Sequence, residues 1–398
     1  MRRYDLITPE GTRDFLFEEC YTKRAAEKAI HSIFKSMGYA EIITPGMEFY
    51  DVFNLNSRYF PQEELYKLTD SKGRLLVLRP DSTMPIARVV ATRLKDAMLP
   101  LRLFYNQSVY RFEPSLKGRS DEIVQTGIEL IGSSSRMADV EIISAAESVL
   151  SSVDINYSLE LGDVGIFHEL MRNLNATPVQ KEEIRSLIEE KNYPALNDLL
   201  DNMGSNRITD ALKKLPTLFG GVEVFEKAAA LFQDAKIELL LDQLKELYLE
   251  ICELNPSGKV TVDLGLVNKT DYYTGLVIKG YLEGCGEEVL SGGRYDKLLS
   301  EFGYDIPAVG MAVNVDAIAS AVSKRHRPIL PTPDVLVSAA EGYEAQAVAV
   351  AQKLRAEGRV VEHALFSDLE LVHEYARDKK IGKIVIVSEE ITEVDENE

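Results

Sequence analysis

The sequence has few of the residues that mark extracellular, metal-binding or membrane proteins. Its 398 residues include three cysteines, Cys20, Cys252 and Cys285, and no tryptophan. Three scattered cysteines without a CxxC pair exclude a disulfide framework and a closed zinc site, and they favour a reducing compartment. No run of about 18 apolar residues occurs, and Pro9 and Gly11 interrupt the N-terminus before any secretory apolar segment. We therefore expect a cytoplasmic, soluble protein without a membrane partner.

Positive charge is also scarce. The chain has 45 Lys and Arg against 64 Asp and Glu, a net charge of −19 at pH 7. Residues 331–398 alone carry seven basic and fifteen acidic side chains. Because each phosphate contact needs a cation, a nucleic-acid partner would require a local concentration of basic residues. The excess of acidic residues argues against a nucleic-acid partner. It does not identify another partner, since charged faces often serve only solubility.

The common catalytic and nucleotide-binding motifs are missing as well. The sequence contains no GxxxxGK[ST], HExxH, GxSxG or Rossmann GxGxxG segment, and its five histidines are dispersed without a pair spaced for a metal. We expect no metal, no cofactor and no catalytic residue of these kinds.

The chain pattern predicts an α+β fold. Residues 18–37 place Ile30 and Phe34 on one face of a helix that stops at Gly38. Strand patterns dominate from about 40 to 130, Asp139 is the expected N-cap of a helix, and INYSLELGD is the next strand. Helical spacing then fills about 163–255, after which strand patterns return in KVTVDLGL, LVIKGYLE and VGMAVNV, with SGGRYD as a glycine-rich turn. A helical insertion therefore splits one sheet.

A second, smaller domain is predicted at the C-terminus. Pro328, Pro331 and Pro333 form a linker, and a βαβαβ pattern follows it. We place the domains at 1–327 and 332–392, and we expect the last residues, EVDENE, to be a frayed tail.

Polar residues interrupt several of the predicted strands. Asp81 and Thr83 end the strand in LRPDST, Arg111 lies in VYRFEP, and Gln125 and Glu129 are four apart in VQTGIEL. Residues four apart on a strand share one face. A carboxylate and an amide there, near Asp81 and Thr83 on a neighbouring strand, would suit a ligand with an ammonium group. A row of surface charges on a half-exposed sheet would give the same pattern.

The order of these motifs identifies a family. PEGTRD, LRPDST, YRFEP, VQTGIEL, DYYTG, SGGRYD and PAVGMAV together resemble the class II histidyl-tRNA synthetase catalytic domain over residues 5–320. The resemblance implies a mixed, mainly antiparallel sheet flanked by helices, with an insertion after the second motif and a C-terminal domain like a shortened anticodon-binding domain. It also implies a histidine-shaped pocket whose residues here are Asp81, Thr83, Arg111, Gln125, Glu129, Tyr272, Tyr273 and Tyr295. In this family, Gln125 and Glu129 match residues that hold the amino group.

The chain departs from the synthetase pattern where phosphate is bound. An arginine expected before DYYTG is Asn268, and the Glu-Arg that ends the third motif is Asp316 and Ala317. In the second motif, Pro114 and Asp121 replace expected basic residues. Losing one preorganised transition-state group typically costs on the order of 100- to 1000-fold in rate. ATP-dependent activation of histidine is therefore not expected.

A synthetase-like chain without ATP or tRNA equipment resembles the regulatory subunits of the short-form ATP phosphoribosyltransferase. That resemblance implies a non-catalytic subunit that activates a separate catalytic chain in the first step of histidine biosynthesis, within a hetero-octamer, and makes it sensitive to histidine. It also implies a homodimer through the first motif, around 39–49, and no tRNA partner. A divergent histidine–tRNA ligase and a stand-alone histidine sensor remain the alternatives.

Overall fold

The computed structural model describes residues 3–55, 60–112, 120–256, 258–267, 272–325 and 329–395. These residues form two compact units, 1–327 and 328–398. The α-helices of the first unit are α1 (Glu18–Ser36), α2 (Thr83–Arg93), α3 (Arg136–Ser151), α4 (Val164–Asn173), α5 (Pro178–Glu189), α6 (Tyr193–Asn202), α7 (Arg207–Lys214), α8 (Glu223–Leu231), α9 (Ala235–Leu254) and α10 (Val315–Arg325). Its strands are β1 (Ala40–Glu41), β2 (Met47–Phe49), β3 (Lys67–Thr69), β4 (Leu75–Leu78), β5 (Leu101–Tyr110), β6 (Glu122–Ile131), β7 (Tyr157–Asp163), β8 (Phe219–Gly220), β9 (Val260–Asp263), β10 (Leu276–Leu282), β11 (Leu290–Arg294) and β12 (Ala308–Asn314).

A mixed, mainly antiparallel sheet organises the first unit. Within the described residues its strand order is β1-β5-β6-β12-β11-β10-β7-β9-β8, and only the β1–β5 and β7–β9 pairs are parallel. Strands from before and after the helices α4–α9 thus join one sheet, as the sequence predicts. A smaller sheet, β2-β4-β3, lies in the same unit.

The two faces of the large sheet cover different cores. Phe104, Ile128 and Leu130 belong to a core shared with α1, α3 and the inserted helices. Leu103 and Tyr105, which alternate with Phe104 on β5, belong to a second core. Alternation along a strand sends successive side chains to opposite faces. The second core contains tyrosines and lies under the residues discussed below.

Local expectations about helices need two corrections. The segment 83–93 was expected among strands, but it forms α2, because Pro85 falls in the first turn, where a missing N–H costs nothing, and burial of Met84, Ile86 and Val90 outweighs β-branching. Asp139 is not the N-cap of α3. The Ser135 hydroxyl accepts the cap hydrogen bond from the Met137 amide at 3.2 Å.

Two further corrections concern strands. SGGRYD is not a turn, since its first four residues belong to β11, a central strand. Glycine is needed at 292 because a Cβ there would come within 2.5 Å of the Gly310 carbonyl oxygen. The expected frayed tail is also partly ordered, because Ile391–Asp395 pairs with the preceding strand.

The second unit has the α/β pattern that the sequence predicts. It contains β13 (Val335–Ala339), α11 (Glu344–Ala356), β14 (Val361–His363), α12 (Leu369–Lys379), β15 (Lys383–Val387) and β16 (Ile391–Asp395). Strands β14, β13 and β15 are parallel, and β16 adds an antiparallel edge.

Candidate functional site

Two glycines in the middle of the large sheet, Gly127 and Gly310, lie next to a group of buried polar residues. Register places Tyr105 opposite Gly127 and Glu129 opposite Gly310. A Cβ at Gly310 would come within 1.9 Å of Glu129 Oε2, and one at Gly127 within 2.5 Å of the Tyr105 hydroxyl. Glycine at these two positions therefore leaves the space that the carboxylate and the phenol occupy.

The buried group, which we call the inner cluster, consists of Asp81, Thr83, Tyr105, Glu129, Tyr272, Tyr273 and Tyr295. Glu129 is 1% exposed and accepts two hydrogen bonds, one from the Thr83 hydroxyl at 2.8 Å and one from the Tyr295 hydroxyl. The Tyr272 ring lies 4.8 Å from that of Tyr273 and 5.9 Å from that of Tyr295, centroid to centroid. Aromatic walls around a buried carboxylate suit a flat, cationic ligand.

Asp81 and Thr83 reach the cluster by a route that the sequence did not predict. They do not lie on a strand next to β6. Asp81 belongs to the loop after β4, and its Oδ1 accepts a hydrogen bond from the Met84 amide at 2.8 Å, while Thr83 begins α2. The expected proximity to Glu129 is present, because the helix start points its first side chain at the sheet.

Burial controls the protonation of the two carboxyl groups. Desolvation raises the pKa of Glu129 to about 8, although the hydrogen bonds from Tyr295 and Thr83 oppose the shift. Desolvation also raises the pKa of Asp81, opposed by the Met84 amide and by the charge of Arg111. Two nearby buried acids disfavour each other's ionisation. Glu129 is therefore largely protonated near neutral pH. A cation entering the cluster would stabilise the ionised forms of Glu129 and Asp81.

Arg111 and Gln125 lie apart from the inner cluster, in an adjoining cleft of about 1260 Å³. Arg111 Nε donates to the Pro80 carbonyl oxygen at 2.6 Å, and Gln125 pairs with Gln107 and Asn314 across the sheet. The eight residues expected from the sequence are thus divided, six in the inner cluster and two in the cleft. Asn268 and Pro114, two of the positions where the sequence departs from the phosphate-binding pattern, lie outside the described residues.

The cleft has few cations. The described lining includes Arg13, Arg111 and Lys324 on the basic side, and Glu19, Asp121, Glu287, Glu288 and Asp316 on the acidic side. Ala317 presents a methyl group to it from α10. Asp316 is held by Lys23 Nζ at 2.6 Å and by the Val124 amide at 2.7 Å. Because a triphosphate needs several cations, this lining favours other ligands.

Two site residues were missed from the sequence. Tyr105 is completely buried in the inner cluster, and no sequence signal marks it, because its place opposite Gly127 depends on the pairing of β5 with β6. Arg294, from SGGRYD, donates to Asp139 Oδ1 at 2.7 Å from Nη2 and to Asp296 at 3.1 Å from Nη1. Asp139 therefore anchors β11 to α3 instead of capping the helix.

Within the described ranges, no three potential metal-binding side chains lie together, and no helix is long and apolar enough to cross a bilayer.

Over the described residues, the mixed, mainly antiparallel sheet flanked by helices is the fold of a class II aminoacyl-tRNA synthetase-like protein. A family model described as Histidyl-tRNA synthetase matches residues 11–318. A crystal structure of histidyl-tRNA synthetase from Nostoc sp. PCC 7120 shares the fold, with a TM-score of 0.80 at 21% identity over 99% of this chain and 97% of that one.

Relatives narrow this class further. An ATP phosphoribosyltransferase regulatory subunit from Clostridium acetobutylicum is 40% identical over 395 residues, which cover 98% of this chain and 97% of the relative. A crystal structure from Bacillus halodurans, described as an ATP phosphoribosyltransferase regulatory subunit/histidyl-tRNA synthetase, is 31% identical with a TM-score of 0.83, over 94% of this chain and 97% of that one. The chain belongs to the histidyl-tRNA synthetase-like family of ATP phosphoribosyltransferase regulatory subunits.

Proposed function

We propose that this chain has no catalysis of its own and is required by a separate, short-form ATP phosphoribosyltransferase catalytic subunit in the first step of histidine biosynthesis. Its near-full-length similarity to regulatory subunits supports the role. We further propose that histidine acts through this chain as a feedback effector.

The observation that carries the proposal is the contrast between the two halves of the site. The inner cluster keeps a buried carboxylate with two hydroxyl donors. The adjoining cleft presents Ala317 where the family pattern has a phosphate-binding arginine, and its described lining has more acids than bases. An amino acid can be recognised without a phosphate clamp, whereas its adenylation needs one.

We propose histidine as the ligand of the inner cluster and the cleft edge. Glu129 and Asp81 would face its ammonium group, and the tyrosines would enclose its ring. Gln125 and Arg111 would lie at the open side, where a carboxylate would meet the guanidinium. Before the ligand binds, Thr83 holds Glu129 through the hydrogen bond from its hydroxyl.

The same proposal includes an assembly. By family resemblance, two copies pair through 39–49, and the pairs join catalytic subunits in a cytoplasmic hetero-octamer. The acidic composition of residues 331–398 supports the absence of tRNA, since a phosphate backbone would be repelled.

Purified chain and a short-form catalytic subunit test the role together. Each protein alone should lack ATP phosphoribosyltransferase activity, and mixing should produce both a complex by size exclusion and histidine-inhibited activity. The absence of a complex would overturn the proposal.

The second candidate is a divergent histidine–tRNA ligase, favoured by the match of residues 11–318 to a synthetase model. It predicts histidine-dependent exchange of pyrophosphate into ATP by the isolated chain. Observation of that exchange would decide for the ligase and against the regulatory proposal.

A further inference from the structure

A buried arginine joins the loop of the inner cluster to a surface turn. Arg79 is 7% exposed and follows β4 directly. Its Nη1 donates to the Thr44 carbonyl oxygen at 2.8 Å, to the Pro45 carbonyl oxygen at 3.2 Å and to the side-chain oxygen of Gln107. Its Nε donates to the Ser108 carbonyl oxygen at 2.7 Å. One guanidinium thus holds the 44–45 turn against β5.

The acceptors of these hydrogen bonds are uncharged oxygens. A buried cation is costly unless its donors are satisfied, so the turn and β5 must keep their carbonyl groups aimed at the guanidinium. The guanidinium meets Ser108 through Nε and the 44–45 turn through Nη1, whereas a lysine ammonium has all its donors on one atom and cannot reproduce this spacing. Movement of either partner segment would leave donors of Arg79 without acceptors.

The backbone of Arg79 makes the same connection. Its amide donates to the Gly46 carbonyl oxygen at 3.0 Å, and its carbonyl oxygen accepts from the Tyr110 amide at 2.9 Å. Pro80 follows at once, and its carbonyl oxygen is held by Arg111. Because proline fixes φ, the loop has one fewer freely rotating backbone dihedral that could absorb a displacement.

The two ends of this connection have different roles. At one end, Thr83 donates to Glu129 in the inner cluster. At the other, the turn leads into β2, where Met47 and Phe49 are 55% and 41% exposed. Phe49 and Leu68 are both paired with Leu76 of the central strand β4, so the three lie on one face of the small sheet.

We propose that Arg79 is a positioning residue that couples occupancy of the inner cluster to the turn at 44–46 and the apolar face of β2. The coupling rests on the proposed ligand. A ligand ammonium that binds Glu129 competes with the Thr83 hydroxyl and thereby shifts the start of α2. The shift reaches Arg79 through Pro80, and the guanidinium carries it to the turn.

Amide hydrogen exchange on the full-length chain tests the coupling. The Thr44 amide, which donates to Gln107 at 3.1 Å, reports on the turn, and the Met84 amide, which donates to Asp81, reports on the cluster. In the wild type, histidine at about 100 times its Kd should slow exchange at both amides. The slowing should reach up to about 100-fold if the motion that exposes the Thr44 amide also opens the inner cluster and releases the ligand.

The variant Arg79→Lys keeps the charge and loses the fork. Without ligand, exchange at Thr44 and Met84 should both accelerate about tenfold or more, equivalent to about 1.4 kcal/mol. With histidine, only Met84 should slow. Arg102→Lys is the matched control, since Arg102 lies at the other end of β5, pairs with Glu141 on α3, and has no hydrogen bond to the 44–46 turn or to the inner cluster. It should behave as the wild type at both amides.

Equal slowing of Thr44 by histidine in the wild type and in Arg79→Lys would overturn the coupling, as would unchanged exchange in the ligand-free variant. A wild-type chain that shows no histidine binding by calorimetry would instead refute the proposed ligand. The ligand-free comparison then decides the role of Arg79 alone.

Discussion

Replacing Glu129 with glutamine tests the electrostatics of the inner cluster most directly. The substitution keeps the size of the side chain and one acceptor oxygen, but it removes the charge. In the wild type, this carboxyl group is 1% exposed, and its pKa is raised to about 8 by burial. A cationic ligand can therefore bind well only after Glu129 loses a proton.

The magnitude follows from two opposing contributions. A hydrogen bond from an ammonium to a carboxylate is worth about 1.5–3 kcal/mol, or roughly 10- to 150-fold in Kd. Each pH unit below the pKa costs the wild type about 1.4 kcal/mol for deprotonation. The ratio of the Kd of Glu129→Gln to that of the wild type should thus be roughly 5- to 80-fold at pH 8 and less than about threefold at pH 6.

Calorimetric titration of the isolated chain with histidine measures both the Kd and the proton balance. At pH 7 the wild type should release nearly one proton per ligand, seen as a dependence of the measured heat on the ionisation enthalpy of the buffer, and Glu129→Gln should release none. Gln125→Ala is the control, because loss of a neutral hydrogen bond at the cleft costs about 0.5–1.5 kcal/mol irrespective of pH. In the complex, both variants should weaken histidine inhibition and leave assembly intact.

The reasoning fails if the Kd ratio for Glu129→Gln is the same at pH 6 and pH 8, or if wild-type binding releases no proton. Tyr295→Phe sharpens the test. The Tyr295 hydroxyl lowers the pKa of Glu129 by hydrogen bonding to it, so its removal should move the pH dependence of binding to higher pH.

Three further changes have defined outcomes. The pKa of Glu129 is higher in the folded than in the unfolded chain, so its contribution to the free energy of unfolding is lost as pH rises towards 8. In urea unfolding at several pH values, the free energy of unfolding of the wild type should decline by up to about 1.4 kcal/mol per pH unit. Glu129→Gln should not show this decline. Gly310→Ala should abolish histidine binding, because the new methyl group meets the Glu129 carboxylate, and a wild-type Kd in calorimetry would contradict this. Asp139→Ala should cost about 3 kcal/mol in urea unfolding, because the buried Arg294 loses its least exposed carboxylate and keeps only Asp296 and the Ser133 carbonyl oxygen. The double change with Arg294→Met should recover part of this loss, and additive losses would contradict the pairing.

Much of the fold could be predicted because its signals are local. The helix ending before Gly38, the helical insertion and the C-terminal α/β pattern all follow from hydrophobic period and turn residues. The failures have tertiary causes. The segment that forms α2 has strand-forming residues, but burial against the sheet makes it helical. Gly292 and Gly293 are typical of a turn, but here they lie in a strand, because a side chain at either position would clash with the neighbouring strands.

The sequence by itself determined the family, six of the seven residues of the inner cluster and the lack of an arginine at 317, because these depend only on which side chain stands at which place in an ordered set of motifs. Only the tertiary structure separated Glu129, Asp81 and the tyrosines from Arg111 and Gln125, revealed Tyr105, and joined Arg79 to a turn 35 residues earlier in the chain. The physical reason is that burial, strand register and hydrogen-bond direction are properties of segments brought together from far apart. A pattern along one segment does not contain them.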